Sequence, residues 1–382
     1  MIAAFRTQLF TARKIMGELY MEQEQLLRIK RNLQDVPKGT LKVEHHFNGH
    51  TETNLFTESF QTQTEGKGKM AAYQVFPGIQ LSLNYSLSEQ VFFQHESHAH
   101  ILEINHCHTG RIGWNFNNGT SVYLGTGDLS LHSMECCADS VMMFPLGYCE
   151  SISVSINLEE LKRNPPPILQ EISINIEQLD RNFCRPDKSI ALPSAPSIEG
   201  IFRPLYSVPA EIRLPYFKLK IQELLLYLGY LNPISSGLTQ YCSRQTALIK
   251  DIHTLLTEHL DHRFTIDELS KKYLINTSSL KEVFKGVYGL PIATYMKEYR
   301  IRKSMELLRQ TDDSIAEIAA KIGYESQGKF TKAFKDFAKI TPTAYRRGAQ
   351  CGGGTDHPYY PAESVMRKRQ HCQLLKSDSA AK

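Results

Sequence analysis

Five histidines, His95, His98, His100, His106 and His108, fall within fourteen residues. His98 and His100, followed closely by Glu103, offer two imidazoles and a carboxylate, donor types that suit a first-row metal. Strand alternation would place His98 and His100 on one face, as two ligands of one ion require. The competing reading is a set of histidines satisfied within a β-domain, and no metal is assigned on this pattern. Cys136 and Cys137 are adjacent, and because neighbouring cysteines bridge only with strain, ordinary thiols are expected there. The eight cysteines include no CxxC pair, so neither a disulfide framework nor a zinc finger is indicated.

A second chemistry lies nearer the C-terminus. Ile266, Leu269, Leu280, Phe284 and Pro291 recur as Ile315, Ile318, Phe330, Phe334 and Pro342, at offsets of 49 to 51 residues. Each copy reads as a short helix (266–273, 315–322), a tight turn and a longer helix (278–288, 327–337), the layout of a helix-turn-helix. Thr265 with Glu268, and Ser314 with Glu317, are capping-box signals for the two short helices. In the second copy Phe330, Ala333, Phe334 and Phe337 form an inward stripe. That leaves Gln327, Lys329, Thr331, Lys332 and Lys335 outward, a mixture suited to base edges and phosphates. The first copy presents Thr277, Ser278, Ser279, Lys281, Glu282 and Lys285, less basic and with one acid able to accept from a cytosine amino group. Residues 291–308 between the copies read as one helix of about 27 Å at 1.5 Å per residue, comparable with one turn of duplex DNA. Arg300, Arg302 and Lys303 on this spacer are either phosphate contacts or solvated charges.

These residues need elements to hold them. The 382-residue chain is 41% hydrophobic and 22% charged, the profile of a soluble globular protein long enough for two domains. Residues 1–245 carry 21 basic and 24 acidic side chains, net −3, whereas 246–347 carry 18 and 13, net +5, which places polyanion binding in the C-terminal part. No apolar run approaches the ~18 residues of a membrane span, and no secretory leader is evident, so a cytoplasmic protein without a membrane partner is expected. Residues 1–40 read as a helical extension, with Met21 an alternative start to Met1. Short β-rich runs, including 79–85, 91–94, 113–116 and 141–144, mark 41–160 as a barrel or sandwich. Residues 161–245 contain a linker and packing helices. Among them Phe217, Ile221, Leu224, Leu225, Leu228 and Leu231 form a helical stripe for the chain's own core or a second subunit. Residues 246–347 hold the repeated helices, and 348–382 read as a disordered tail.

Residues 248–347 resemble the double helix-turn-helix domain of the arabinose-operon regulator (AraC/XylS) family. The resemblance rests on Ile315-Ala-Glu-Ile-Ala, Gly323-Tyr-Glu-Ser-Gln, Phe330-Thr-Lys-Ala-Phe-Lys and Thr341-Pro-Thr-Ala-Tyr-Arg. It implies a multidomain bacterial transcription regulator, commonly an activator, with a mainly β sensor followed by an all-α DNA-binding domain. Double-stranded promoter DNA and RNA polymerase would be its partners and a homodimer its assembly. DNA contacts would fall on Ser278, Lys281, Glu282 and Lys285 in copy one and on Gln327, Lys329, Thr331, Lys332 and Lys335 in copy two, with Arg346 closing the last motif. Leu102-Glu-Ile-Asn, Gly110-Arg, Gly127-Asp-Leu-Ser-Leu and Phe144-Pro-Leu-Gly-Tyr resemble the sensors of siderophore-responsive members such as the pyochelin regulator. That implies an iron-siderophore or other small-molecule effector and no resident cofactor. The His98-Ala-His100-Ile-Leu-Glu103 run also approximates a cupin metal motif, short by one residue, with Glu150 where the second half would bring a histidine. The rival readings are a metal-dependent cupin enzyme joined to a DNA-binding domain, with His98, His100 and Glu103 as ligands, and a ligand-independent dimeric regulator.

Overall fold

The computed structural model describes residues 24–47, 50–56, 62–93, 100–137, 141–171, 175–185, 189–231 and 237–350. Residues 1–23, with both candidate starts, His95, His98, the Cys137 side chain and the tail beyond 350 lie outside that set.

The described chain begins with a helix, α1 (24–32), and continues through β1 (Thr40–Phe47), β2 (His50–Phe56), β3 (Thr62–Gln63), β4 (Lys67–Phe76), β5 (Ile79–Leu87), β6 (Gln90–Phe93), β7 (Ile101–Gly110), β8 (Ile112–Asn115), β9 (Thr120–Leu124), β10 (Leu129–Ser133), β11 (Val141–Met143) and β12 (Cys149–Asn157). Helices α2 (Leu158–Arg163), α3 (Pro167–Glu171) and α4 (Ile176–Phe183) follow, then β13 (Ile190–Leu192), α5 (Pro196–Phe202), α6 (Arg213–Tyr230) and β14 (Tyr241–Cys242). The rest is helical: α7 (Ser243–Glu258), α8 (Ile266–Tyr273), α9 (Thr277–Tyr288), α10 (Ile292–Gln310), α11 (Ile315–Lys321), α12 (Gln327–Ala338) and α13 (Pro342–Gln350). The N-terminal part is thus mainly β with adjoining helices and the C-terminal part all-α, as the sequence patterns predict.

Among the described residues the strands form two sheets, ordered β13-β10-β7-β12-β5-β4-β1-β2 and β14-β9-β8-β11-β6-β3. Pairing in the larger sheet is antiparallel except between β1 and β4. Period-2 alternation gives this sheet two different faces. Leu81, Leu83, Leu102, Ile104, Ile152, Val154 and Ile156 point to an apolar core shared with α2, α4, α5 and α6. The opposite face meets the smaller sheet, where Ile112, Trp114, Val122 and Leu124 pack with Cys107 and Cys149. The α6 stripe settles into the helix-side core, with Phe217, Ile221, Leu224, Leu225 and Leu228 all at most 1% exposed. Those side chains serve the chain's own interior.

The described residues fall into two compact units, one of those within 24–250 together with 279–290, the other of 251–278 with 291–350. The second unit has its own core of Ile301, Met305, Leu308, Ile318, Phe330, Phe334 and Tyr345. Arg300 corrects the reading of the spacer. It is buried and donates to Leu260 O at 3.3 Å and His262 O at 3.1 Å, so it joins backbone segments instead of facing phosphate. Arg302 lies over the Phe337 ring and Lys303 pairs with Glu306 at 2.8 Å.

Candidate nucleic-acid interface

In the second copy each local choice of residue fixes the next element. Ser314 and Glu317 form a complete capping box, Glu317 N donating to Ser314 Oγ at 3.2 Å and Ser314 N to the Glu317 carboxylate at 2.7 Å. Gly323 makes the turn with φ +77°, and a Cβ there would come within 2.2 Å of Leu260 O, so both conformation and space demand glycine. Ser326 then caps α12 by accepting from Lys329 N at 3.3 Å. Phe330 and Phe334 are fully buried, with ring centroids 5.7 Å apart. Their burial sets the rotation of α12, leaving Gln327, Lys329, Lys332 and Lys335 exposed and Thr331 half-buried.

The five predicted α12 residues therefore share one helix, but they differ in partners. Lys329 pairs with Glu325 one turn back and holds that carboxyl below its ordinary pKa. The pair is two-thirds exposed on both sides, so exchange of Glu325 for a phosphate costs little. Arg346 donates to Leu308 O at 3.4 Å and Asp313 O at 2.6 Å, tying α13 to the end of α10 and the loop that opens α11.

The first copy repeats the arrangement. Thr265 and Glu268 form the second capping box, and Leu274, at φ +52°, ends α8. On α9, Leu280, Val283, Phe284 and Val287 are buried, while Ser278, Lys281, Glu282 and Lys285 are exposed as predicted from the sequence pattern. Between the copies, α10 runs for 19 residues, or about 28 Å.

Sequence reasoning missed what holds the C-terminal end of α9. Residues 279–290 belong to the same compact unit as the β-domain. Within that unit Arg111 donates from Nε to Val287 O at 2.9 Å and from Nη2 to Gly286 O at 2.5 Å. A guanidinium on the last carbonyls of a helix satisfies acceptors that lack an intrahelical partner. Tyr241 lies so close to Gly286 that a Cβ there would approach its hydroxyl to 2.3 Å. In the sequence Arg111 stands out only as part of the Gly110-Arg resemblance.

The metal candidates do not assemble as alternation predicts. His100 lies in a turn ahead of β7 with φ +63°, which breaks the strand alternation, and its Nδ1 faces both Asp180 carboxylate oxygens at 3.1 Å. Glu103 sits on the inner face of the large sheet, paired across strands with His132 and Ser155. Glu150 is on the opposite, helix-side face, beside Tyr85 and bound to Arg28, so these two carboxylates cannot share an ion. No group of three or more His, Cys, Asp or Glu side chains suited to a metal occurs among the described residues.

The inner face of the large sheet is polar and buried. Asn84 donates to Ser153 Oγ at 2.8 Å, and Ser153 donates to Asn105 Oδ1 at 2.9 Å. On that face Asn84 Oδ1, Ser86 Oγ, Glu103 Oε1 and Ser130 Oγ are out of solvent without a hydrogen-bond partner. Asn84 and Ser86 line an interior cavity together with Met70, Val91, Met142 and Phe144. Burial pushes the Glu103 carboxyl up to about 7, against the lowering effect of its bond from Ser155.

A helix-turn-helix domain family matches residues 269–348. The TetD protein of transposon Tn10 from Escherichia coli is 34% identical over 120 residues, which are 31% of this chain and 87% of TetD. The transcriptional regulator Rob of Salmonella typhimurium is 35% identical over 106 residues, 28% of this chain and 37% of Rob. The chain thus spans little more than a third of Rob's length. Among solved structures, an AraC-type transcriptional regulator from Chromobacterium violaceum aligns at 22% identity over 29% of this chain and 99% of its own, with a TM-score of 0.27. No described helix is long and apolar enough to cross a membrane.

Proposed function

Because the chain belongs to the AraC/XylS family of DNA-binding transcription regulators, we propose that it is a ligand-responsive activator whose α9 and α12 read two neighbouring major-groove segments of one operator. The observation that carries this reading is the twice-built capped helix-turn-helix, in which core aromatics turn Lys281 and Lys285, then Lys329, Lys332 and Lys335, outward. Lys335 neutralises phosphate; Gln327, Lys329, Thr331 and Lys332 address base edges; Ser278, Lys281 and Glu282 form the weaker half-site. Arg346 acts on DNA through the loop that it holds.

Control by an effector is drawn from the family resemblance; the cavity on the buried polar face between the sheets, about 50 Å³, has room for a water or two beside the unpartnered Asn84 and Ser86 atoms and not for a siderophore. An iron-siderophore is the specific effector we propose from the Gly110-Arg and Phe144-Pro-Leu-Gly-Tyr resemblance, with a homodimer at the promoter and RNA polymerase as the further partner. The Arg111 bonds to α9 supply a route by which the β-domain biases DNA engagement.

Selection of binding sites from a random duplex pool, followed by affinity measurement against salt, tests the reading. A discrete bipartite sequence with steep salt dependence is expected. Sequence-independent binding, or none, would overturn it.

A further inference from the structure

We propose that the cleft between α1 and the helix-side face of β7 binds a metabolite-sized organic anion through the guanidinium groups of Arg28, Arg31 and Arg203. The cleft has a volume of about 300 Å³, and its charged lining is these three arginines against the single carboxylate of Glu24. That size is at the lower end of the ~300–1,000 Å³ usual for small-molecule sites. The cleft lies on the opposite face of the large sheet from the polar interior.

Three observations separate this cleft from an ordinary solvated surface. Among the described residues Arg31 and Arg203 make no ion pair within 4 Å, although Arg203 acts on the Glu199 carboxyl at longer range, and Arg28 Nε is buried without a hydrogen-bond partner. The one carboxylate bound to Arg28, Glu150, is itself buried, and burial raises its pKa against the lowering effect of Arg28. The His108 ring lies against Tyr206 with centroids 4.0 Å apart. Burial first, then the charges of Arg28, His106 and Arg203, lower the His108 pKa to about 3, which shows two of the guanidinium groups acting on the same ring. Like charges held along one concave wall repel each other, and a carboxylate or phosphate relieves that repulsion while accepting paired N–H bonds from the guanidinium forks.

The proposal deepens, and rests on, the reading of the chain as a ligand-responsive regulator. Its test is calorimetric titration of the full chain with succinate and with inorganic phosphate at constant ionic strength, with chloride as reference. Saturable binding of either probe is expected, succinate identifying a carboxylate ligand and phosphate a phosphorylated one. Arg31→Gln and Arg203→Gln should each weaken it about tenfold, and Arg31→Gln should leave the melting temperature of the free protein unchanged, because among the described residues no carboxylate pairs with Arg31. Arg203→Lys, which keeps the charge but loses the fork, should retain intermediate affinity, and Arg163→Gln on α2, an exposed arginine outside the cleft, should change nothing. No saturable binding of either probe, full binding in both the Arg31→Gln and Arg203→Gln variants, or an equal loss in Arg163→Gln would overturn the proposal. Operator affinity without probe is measured on the same variants. Its absence throughout would count against the regulator reading and leave the anion result standing.

Discussion

Lys329, Lys332 and Lys335 leave the free protein from different starting points. Lys329 must part from Glu325, whereas Lys332 and Lys335 are exposed and bind no carboxylate among the described residues. Lys329→Ala and Lys332→Ala should each cost about 1–3 kcal/mol in operator binding, read by gel shift, and Lys335→Ala should lower the salt slope by about one. Unchanged affinity and slope in all three would remove α12 from the interface. Residue-scale reasoning also gives a pH dependence. Glu103 is raised from 4.5 to about 7 by burial, so the folded state binds more protons than the unfolded chain between those values, and stability falls as pH rises through that window. Glu103→Gln removes the titration. Its melting temperature relative to the parent should therefore climb from pH 5 to pH 7; a difference independent of pH would contradict a buried, protonated Glu103. The exposed lysines of α9 and α12 were legible in the sequence because apolar spacing fixes the opposite face. The buried state of Arg300 was not, since its bonds run to carbonyls forty residues away.

The helical elements owe their boundaries to local signals, which is why most of them could be read without coordinates. Thr265 and Ser314 cap their helices as the sequence predicts, and Thr265→Ala or Ser314→Ala should each lower stability by about 1 kcal/mol in thermal or urea unfolding. Gly323→Ala should cost more than either, because it forces a left-handed φ on alanine and drives Cβ into Leu260 O. A Gly323→Ala protein with unaltered melting and operator affinity would refute this account of the turn. The β-domain was legible as a class but not in its topology. Strands β13 and β14 have three and two residues, too short for any periodicity, and they join the sheets through partners set by the fold. His100 shows the same limit, because a left-handed turn residue cannot be distinguished by spacing from a strand residue.

At the scale of the whole molecule, residues 279–290 of α9 and the following turn fall within the compact unit of the β-domain, while α12 belongs to the other. No sequence pattern announced that division, which depends on contacts such as Arg111 with Gly286 and Val287. If those bonds bias α9, Arg111→Ala should change effector-free operator affinity by about fivefold or more, the lower range of allosteric coupling, and reduce the effect of the effector. An affinity and response identical to the parent would leave Arg111 as a helix cap alone. The central claim, that two helices of one chain read one operator, is tested most directly by hydroxyl-radical footprinting of the full chain on its selected site. The account predicts two protected segments about one helical turn apart on one face of the duplex, the α12 segment weakened by Lys329→Ala and Lys332→Ala and the α9 segment by Lys281→Ala. A single protected segment, or two that fade together whichever helix is altered, would contradict it.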